Sequence, residues 1–345
     1  MSNIICKICG NENDNQIYQV REMMFGFRDK FTYFECSKCG CLQISEIPEN
    51  ISRYYPSNYY SLSENPSASP INPAKSIMQF LTNKRNEYAI FKRGNIGRLV
   101  YVLIPDSIAE TLFRINLTKD AKILDVGCGS GRLLYSLKQI GFKNLLGVDF
   151  FIERDIQYAN GLRIQKGSLQ SVDGKWDLIM FNHSLEHMSN QLATLQAVSS
   201  LLTEVGLCVV NIPTVSSYAW KTYGNNWVQL DAPRHYFLHS VRSLRLLAEK
   251  SGLELKGILY NSTPFQFWGS EQYVKDIPLC STQSLNEKLL HAIISVLPFG
   301  AEQKAKELNQ INQGDQAAFY MAKKNDHFAL RRSFQPSFSQ KISSG

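Results

Sequence analysis

Four cysteines near the start of the chain have the spacing of a metal-binding site. Two Cys-x-x-Cys pairs, Cys6/Cys9 and Cys36/Cys39, are separated by a 26-residue spacer, and a glycine follows each pair. In a reducing compartment such pairs are typical of zinc ligands, and four thiolates complete the tetrahedron that Zn²⁺ prefers. Because a closed site leaves no position for a substrate, we expect the zinc to be structural. Free or redox-active thiols are the alternative, and the spacing leaves open whether Cys41 is a ligand.

A glycine-rich segment in the middle of the chain has the chemistry of a nucleoside-binding loop. The sequence ILDVGCGSG occupies residues 123–131, directly after an apolar strand pattern. Glycines at this point let the backbone turn tightly and approach a ligand, and Asp149 ends the next strand, where a carboxylate can accept both ribose hydroxyls. The third glycine, Gly131, comes one residue too early for a dinucleotide fingerprint. Asp125 beside the loop favours a cationic ligand over a pyrophosphate.

Two histidine-containing segments could supply acid–base chemistry. His183, Glu186 and His187 follow the fourth predicted strand, and the two histidines would share a face if a helix began at Ser184. No third ligand is evident beside this His-x-x-x-His pair, so the sequence does not favour a catalytic metal there. His235 lies in an aromatic and charged segment after the fifth strand. We predict His235, His183 and Glu186 as catalytic residues; the alternatives are a helix-capping role for His235 and a scaffold role for Glu186 and His187.

The elements that must position these residues alternate between strands and helices. Strands are predicted over residues 122–126, 145–148, 162–165, 178–182, 207–212, 253–259 and 318–322, and helices over 132–140, 152–160, 191–202 and 241–250. This alternation is typical of a doubly wound, Rossmann-like α/β fold with a mainly parallel sheet. Parallel strands bring their carboxyl ends to one sheet edge, where the glycine loop, Asp149 and His183 would meet.

The chain divides into four predicted parts. Residues 1–47 form a small zinc-ribbon-like module with a hairpin over 16–21 and 31–35, and residues 48–74, rich in Tyr, Ser, Asn and Pro, form a linker. Residues 75–330 form the large domain, with a helical lead-in and a lid insertion at 214–240. Residues 331–345 are a basic flexible tail. The four linker tyrosines either pack on the next domain, which we favour, or line a ligand cleft; they are Tyr54, Tyr55, Tyr59 and Tyr60.

Composition limits the possible partners. The 345 residues are 44% apolar and 19% charged, which excludes a mainly disordered chain and supports two folded units. The formal net charge is +7, but the excess lies in residues 61–120 and in the tail, so nucleic acid is an unlikely partner. No secretory signal and no apolar run of membrane-spanning length is present. We expect a soluble, cytoplasmic protein without a membrane span and leave its oligomeric state open.

Five motifs in order resemble those of class I S-adenosylmethionine (SAM) methyltransferases. They are ILDVGCGSG (123–131), GVDF (147–150), QKGSL (165–169), WDLIMFNHSLEHM (176–188) and GLCVVNIP (206–213). The resemblance covers roughly residues 121–260, plus a late strand at 317–324. It implies SAM as cofactor and a seven-stranded sheet whose last strand is antiparallel.

The resemblance also assigns roles to single residues. Asp149 would hold the ribose, Phe150 would lie beside the adenine, and Asn182 and His183 would lie under the sulfonium and face the acceptor. Many relatives carry an acidic residue where this chain has Ser168. The implied cofactor-binding residues are Asp125, Gly127, Cys128, Gly129, Gly131, Asp149, Phe150, Ser168, Leu169 and Asn182.

The acceptor is suggested by two features. The Asn/Asp-Pro-Pro-Tyr motif of many N-methyltransferases is replaced here by Asn-His-Ser-Leu at 182–185, which disfavours methylation of a planar base. The Pro-Arg-His segment at 233–235, leading to Ser240, resembles bacterial methyltransferases of sugar and surface-polysaccharide pathways. It implies a hydroxyl or activated carbon of a sugar, nucleotide-sugar or related small metabolite. The alternatives are an RNA-modifying methyltransferase and a non-catalytic SAM-binding scaffold with a zinc docking module.

Overall fold

The computed structural model describes residues 4–56, 73–104, 111–115, 117–281 and 300–324. Its strands are β1 (Gln16–Arg21), β2 (Lys30–Glu35), β3 (Leu42–Ile44), β4 (Lys122–Val126), β5 (Asn144–Asp149), β6 (Ile156–Gln157), β7 (Arg163–Lys166), β8 (Trp176–Asn182), β9 (Leu202–Pro213), β10 (Phe237–Leu238), β11 (Leu253–Tyr260) and β12 (Gln316–Lys323). Its α-helices are α1 (Pro73–Phe91), α2 (Asn95–Leu103), α3 (Arg132–Gln139), α4 (Gln191–Leu201), α5 (Tyr218–Tyr223), α6 (Val241–Lys250), α7 (Phe265–Val274) and α8 (Ala301–Gln310).

The large sheet has the Rossmann-like α/β arrangement that the sequence predicts. Its strand order is β11-β12-β9-β8-β4-β5-β7-β6, and the central strands β9, β8, β4, β5 and β7 are parallel. The late strand β12 lies antiparallel between β11 and β9. After β4 the chain adds β5 and β7 on one side, and it then crosses to add β8 and β9 on the other side. Open α/β sheets bind their ligands at such a switch point.

The predicted helix over residues 152–160 is wrong. The segment instead contributes β6, a two-residue strand that pairs antiparallel with β7 and adds an eighth strand to the expected seven. The Asp155 carboxylate explains the extended path, because it accepts a hydrogen bond from the Lys166 backbone and pairs with Arg163. These bonds hold the segment along β7, where a helix could not make them.

The small N-terminal sheet is completed by a distant part of the chain. Its order is β1-β2-β3-β10, with all pairs antiparallel, and β10 comes from the predicted lid insertion. Phe237 of β10 pairs with Gln43 of β3, and Leu238 pairs with Leu42. The end of the predicted lid, just before helix α6, is thus paired with the cysteine-containing module.

The hydrophobic core also continues from the module into the large sheet. One buried cluster includes Tyr33 and Leu42 of the small sheet together with Phe181 and Val210 of the large sheet. A second cluster covers the opposite face of the large sheet and includes Ile123 and Tyr320. Because one apolar cluster spans both sheets, their burial is energetically coupled.

The helical lead-in and the predicted tail are described only in part. Helices α1 and α2 occupy most of the predicted lead-in. Tyr59, Tyr60 and the predicted tail at 331–345 lie outside the described residues. Within the described part of the chain, no helix combines the length and apolar character needed to cross a membrane.

Candidate functional site

A cavity of about 980 Å³ opens at the carboxyl ends of β4, β5 and β8. The side chains and loops around it come from the glycine loop, the lead-in helix α1 and the segment after β8. Nine of the ten predicted cofactor residues line it directly, and Gly131 follows within the same loop. The lining includes Asp125, Gly127, Cys128, Gly129, Asp149, Phe150, Ser168, Leu169 and Asn182.

The glycine loop forms the floor of the cavity and depends on backbone conformations that favour glycine. Gly127 has a φ of +72°, and a Cβ atom there would lie only 2.4 Å from the Ser184 Cβ atom. Gly131 has a φ of +79° and precedes the first residue of α3, with Ile164 Cδ1 2.2 Å from the position of a Cβ atom. Any side chain at either position would therefore displace the loop from its neighbours.

Asp149 joins the second strand to the glycine loop. Its Oδ2 atom accepts a hydrogen bond of 2.8 Å from the Gly129 amide, and its Oδ1 atom accepts one from the Phe151 amide. Phe150 beside it is 69% exposed, so a flat ligand could cover the ring. Ser168 is exposed and Leu169 is buried at the same edge of the cavity. This arrangement suits a nucleoside lying between Asp149 and residues 168–169.

A buried carboxyl lies beneath the cavity on β4. Burial raises the pKa of Asp125 to about 7, although a 3.4 Å hydrogen bond from Asn182 partly opposes the effect. The nearby Asp149 raises the pKa further. An Asp125 carboxylate in this position would be stabilised by a cation in the cavity.

His183 lines the cavity at the end of β8. The residue follows β8 with a φ of +51°, which is uncommon for a residue with a side chain. Its amide donates to the Asn211 carbonyl, and its ring lies in the cavity with about one third of the side chain exposed. The expected helix from Ser184 is a 3₁₀ turn over Leu185–His187. Such backbone strain is concentrated at functional sites.

Glu186 is a fully buried carboxyl surrounded by three histidines. Its Oε1 atom lies 3.5 Å from His183 Nδ1 and 3.8 Å from His235 Nε2. Burial by itself raises the pKa of this carboxyl, but His183, His187 and His235 together lower it to about 2. The structure thus brings together the three predicted catalytic residues, His183, Glu186 and His235, although only His183 lines the cavity.

His235 lies behind His187 as seen from the cavity. The two ring centroids are 4.7 Å apart, and His187 lines the cavity whereas His235 is 5% exposed. Burial, with His187 as the next cause, lowers the pKa of His235 to about 4, so the ring is neutral near pH 7. A ring in this position can act on a cavity ligand only through His187 or Glu186.

The lid segment is fixed by a buried arginine. Arg234 pairs with Glu22 at 3.1 Å and with Asp231 at 2.6 Å, and it donates to the carbonyl of Tyr54. Arg234 and Glu22 have no exposed side-chain surface. Removing Arg234 would leave the buried Glu22 charge without its ion pair, at a cost of about 3–5 kcal/mol.

Several cavity residues were not found by sequence reasoning. Tyr55 hydrogen-bonds to His187 and stacks on Phe151 at 5.5 Å, so one linker tyrosine lines the cleft while Tyr54 packs against Phe27 and Phe31. Arg85 and Asn86 of α1 and Tyr236 of the lid also line the cavity. For Tyr55 the sequence offered cleft lining only as the less favoured alternative, and the helical pattern of the lead-in did not distinguish Arg85 and Asn86 from their neighbours.

The cysteine cluster lies in the small module. The Sγ atoms of Cys6 and Cys39 are 3.6 Å apart, those of Cys9 and Cys36 are 3.5 Å apart, and all four lie within 4.8 Å of one another. Disulfides require about 2.05 Å between sulfurs, so these are four separate thiols. The predicted ligand set therefore converges on one point.

Two similar turns present the thiols. The amide of Gly10 donates to the Cys6 carbonyl and that of Gly40 to the Cys36 carbonyl, and both glycines have φ near +70°. Cys41, the alternative ligand, lies outside the cluster, with its sulfur 3.9 Å from His239 Nδ1. The amide of Gln43 instead approaches Cys6 from outside and donates to its sulfur at 3.0 Å.

Comparison with known proteins gives a match in the large domain. A family model described as "Methyltransferase domain" matches residues 98–256. The ubiquinone biosynthesis O-methyltransferase of Rickettsia bellii is 24% identical over 197 residues, covering 52% of this chain and 80% of that protein. The mitochondrial ubiquinone biosynthesis O-methyltransferase of Saccharomyces cerevisiae is 28% identical over 180 residues, covering 44% of this chain and 57% of that protein.

Solved structures are similar at a lower level. The cyclopropane synthase MmaA2 from Mycobacterium tuberculosis aligns with a TM-score of 0.42 and 13% identity, over 68% of this chain and 88% of that chain. A similarity of this size supports no conclusion beyond the sheet and helices already described.

Proposed function

We propose that this protein, which is a SAM-dependent methyltransferase, transfers a methyl group to a hydroxyl oxygen of a small acceptor. The observation that carries the proposal is a single cavity with two chemically distinct ends. The glycine loop and Asp149 lie at one end, and His183, His187 and Tyr236 lie at the other. The first end suits an uncharged nucleoside with a cationic tail, and the second suits a group that must lose a proton.

The donor end is assigned to named residues. Asp149 would accept from the ribose hydroxyls, and Phe150, Ser168 and Leu169 would surround the adenine. The methionine part would lie along residues 127–129, over Asp125. A carboxylate at Asp125 would attract the sulfonium and ammonium charges of SAM, which a pyrophosphate-bearing cofactor lacks. The donor set of the cavity therefore fits SAM.

The acceptor end must position a nucleophile and remove its proton. Methyl transfer from a sulfonium is an in-line displacement, so orientation supplies much of the rate and a general base supplies the rest when the acceptor is a hydroxyl. We assign the base to His183, because it alone among the three predicted catalytic residues reaches the cavity. Glu186 and His235 would act as positioning residues behind it.

The acceptor class follows from the same surface. Oxygen is favoured over carbon because two relatives are named O-methyltransferases. A nucleotide-sugar and a phenol remain the acceptors to assay, since Tyr55 and Tyr236 offer flat surfaces to either ring. Trp227, an aromatic residue of the segment that contains His235, is fully buried and donates to Asp315, so it cannot contact the acceptor.

We also propose that Cys6, Cys9, Cys36 and Cys39 hold a structural Zn²⁺. The converging thiols and the two glycine turns support this assignment. None of the four cysteines lines the cavity, which agrees with a closed site. The proposed module comprises residues 1–47, and the large domain extends from residue 75 to residue 330.

The proposal is tested by binding and by acceptor screening. Calorimetry should show SAM binding that weakens about 100-fold in Asp149→Ala, because both ribose contacts and the Gly129 anchor are lost. Mass spectrometry should then detect a gain of one methyl group on a nucleotide-sugar or a catechol incubated with enzyme and SAM. Methylation of RNA but of neither small acceptor would support the RNA-modifying alternative, and unaltered SAM affinity in Asp149→Ala would refute the donor assignment.

A further inference from the structure

The geometry points to a second metal site, formed by Glu186, His187 and His235, that binds a divalent transition-metal ion beside the acceptor end of the cavity. One ligand atom from each residue lies within 4.8 Å of the other two. The residues come from two segments about 50 positions apart, which explains why the third ligand is invisible in the sequence motif. Two histidines and one carboxylate form a ligand set that proteins use for zinc while leaving a coordination position open.

The ligand atoms are farther apart than in a metal-bound site, so the side chains would contract around the ion. A tetrahedral Zn²⁺ with ligands at about 2.0–2.1 Å places neighbouring ligand atoms about 3.3 Å apart. His235 Nε2 and Glu186 Oε1 are 3.8 Å apart. The edge between these two atoms would therefore shorten by about half an ångström on metal binding, and the ligand atom of His187, which lies within 4.8 Å of the other two, would move by more.

Both histidine rings are oriented as metal ligands are. His235 Nδ1 lies 2.8 Å from the Gln229 carbonyl, and His187 Nδ1 lies 2.8 Å from the Arg234 carbonyl. Because a carbonyl only accepts, each Nδ1 atom must carry the proton. With the proton on Nδ1, the electron pair of Nε2 in each ring is available to a metal ion, and the backbone bond fixes the ring. This outer hydrogen bond is a regular feature of histidines that bind metals.

Glu186 supplies the second, independent observation. The side chain is completely buried, and neither carboxylate oxygen has a hydrogen-bond partner among the described residues. The nitrogen atoms nearest to Glu186 Oε1 are His183 Nδ1 at 3.5 Å and His235 Nε2 at 3.8 Å, and neither makes a hydrogen bond with it. A buried carboxylate without a donor costs several kcal/mol. A cation between Glu186 and the two imidazole rings would satisfy all three groups together.

The position relative to the cavity gives the site a use. His187 lines the cavity, and the backbone of Tyr236, which also lines it, donates to the Glu186 carbonyl. The open coordination position would therefore face the acceptor. This part of the inference rests on the proposed function: a metal there would bind the acceptor hydroxyl and lower its pKa, while His183 takes the proton.

Metal counting tests the site without using activity. The full chain is dialysed against ZnCl₂, freed of loosely bound ion and analysed by atomic emission alongside Glu186→Gln and His235→Gln. Both variants should hold one Zn²⁺ per chain fewer than the wild type. Glu204→Gln, which changes an exposed glutamate in the same way, is the matched control and should hold as many as the wild type. Equal zinc content in wild type, Glu186→Gln and His235→Gln would overturn the inference.

A second measurement covers the case in which both variants fail to fold. Wild-type protein, treated with a chelator that spares the four-thiol cluster, is titrated with Co²⁺. Rebinding of one Co²⁺ with visible absorption but without a thiolate charge-transfer band supports a nitrogen–oxygen site. No rebinding, or a thiolate spectrum, refutes it. SAM binding and the acceptor screen are independent of these readouts, so the site can fail while the methyltransferase proposal stands.

Discussion

The two side-chain clusters that could hold a metal are built in opposite ways. The four thiols come from two short turns with near-identical geometry, and none of them borders the cavity. Glu186, His187 and His235 come from a strand end and a distant lid segment, and His187 forms part of the cavity wall. A metal ion held by four protein ligands can only stabilise the fold. A metal ion held by three ligands beside a cavity keeps one coordination position open for a ligand.

The first cluster nevertheless positions the second. Strand β3 continues from the second cysteine pair and pairs with β10, which follows His235 by one residue. The Tyr33 hydroxyl of the small sheet donates to the His235 carbonyl, and the Ser240 hydroxyl of the lid donates to the Cys39 carbonyl. The small module is therefore linked to the segment that carries His235 by the β3–β10 pairing and by these two hydroxyl-to-carbonyl hydrogen bonds.

The largest expected effect is the loss of the thiol cluster. Replacing Cys6 by Ser should remove one metal ion per chain and lower the free energy of unfolding by about 5 kcal/mol or more, because binding of a structural zinc is part of the folding energy. Thermal denaturation and metal analysis measure both effects. The matched variant Cys41→Ala should keep the metal, since its thiol lies outside the cluster. Loss of metal in Cys41→Ala but not in Cys6→Ser would reverse the ligand assignment.

A change at the cavity side should instead affect rate. His183→Ala should lower kcat by about 10²–10⁴-fold, the usual contribution of a general base, while SAM affinity and melting temperature change little. Steady-state kinetics with the acceptor identified in the screen, together with calorimetry, separate the two effects. A kcat within threefold of the wild type would exclude His183 as the base. If the metal content also fell, His183 would be a fourth ligand of the second cluster.

The donor end should show a moderate pH dependence. The pKa of Asp125 is raised to about 7, so the side chain is a carboxylate above that pH and becomes neutral as the pH falls through it. SAM affinity should therefore increase about eightfold from pH 6.0 to pH 7.5, as the fraction of ionised Asp125 increases. Calorimetry at the two pH values measures this change. Asp125→Asn should bind SAM weakly and with a nearly flat profile; a slope equal to that of the wild type would assign the titration to another group.

The smallest expected effect probes the link between the clusters. Tyr33→Phe removes a buried hydroxyl that donates to the His235 carbonyl at 2.8 Å, and should cost about 1 kcal/mol of unfolding free energy. Denaturant titration measures this cost. Tyr18→Phe, which loses a half-buried bond to Glu35, is the matched control and should cost less. Equal costs would show that the two sheets are joined more loosely than their contacts indicate.

The sequence predicted the features that depend on local spacing. Both cysteine pairs, the glycine loop and the strands at 122–126 and 178–182 were predicted because a few adjacent residues dictate each one. The family match to residues 98–256 confirms the predicted methyltransferase activity, while the domain bounds of 75–330 stay a prediction. The helix predicted over 152–160 failed because Asp155 bonds to β7, a contact between segments that periodicity does not report.

The acceptor end shows why the remainder could not be predicted. The sequence pattern paired His183 with His187, whereas the structure groups His187 with Glu186 and with the distant His235. Tyr55 lay in a linker without periodicity, so nothing distinguished it from its packed neighbour Tyr54. Contacts between distant segments depend on tertiary packing, which leaves no regular signal in one sequence.

The pairing of β3 with β10 bears on the order of events during synthesis. The paired residues are separated by about 190 positions, which a ribosome adds in roughly 10–40 s at 5–20 residues per second. The two cysteine turns and β1–β3 emerge early, with all four thiols available, whereas their fourth strand is made much later. We therefore expect the nascent N-terminal segment to bind the proposed Zn²⁺ first. Strand β3 would then provide the sheet edge to which β10 is added later. If the four thiols bind zinc as proposed, zinc shortage should yield chains in which β10 cannot pair with β3.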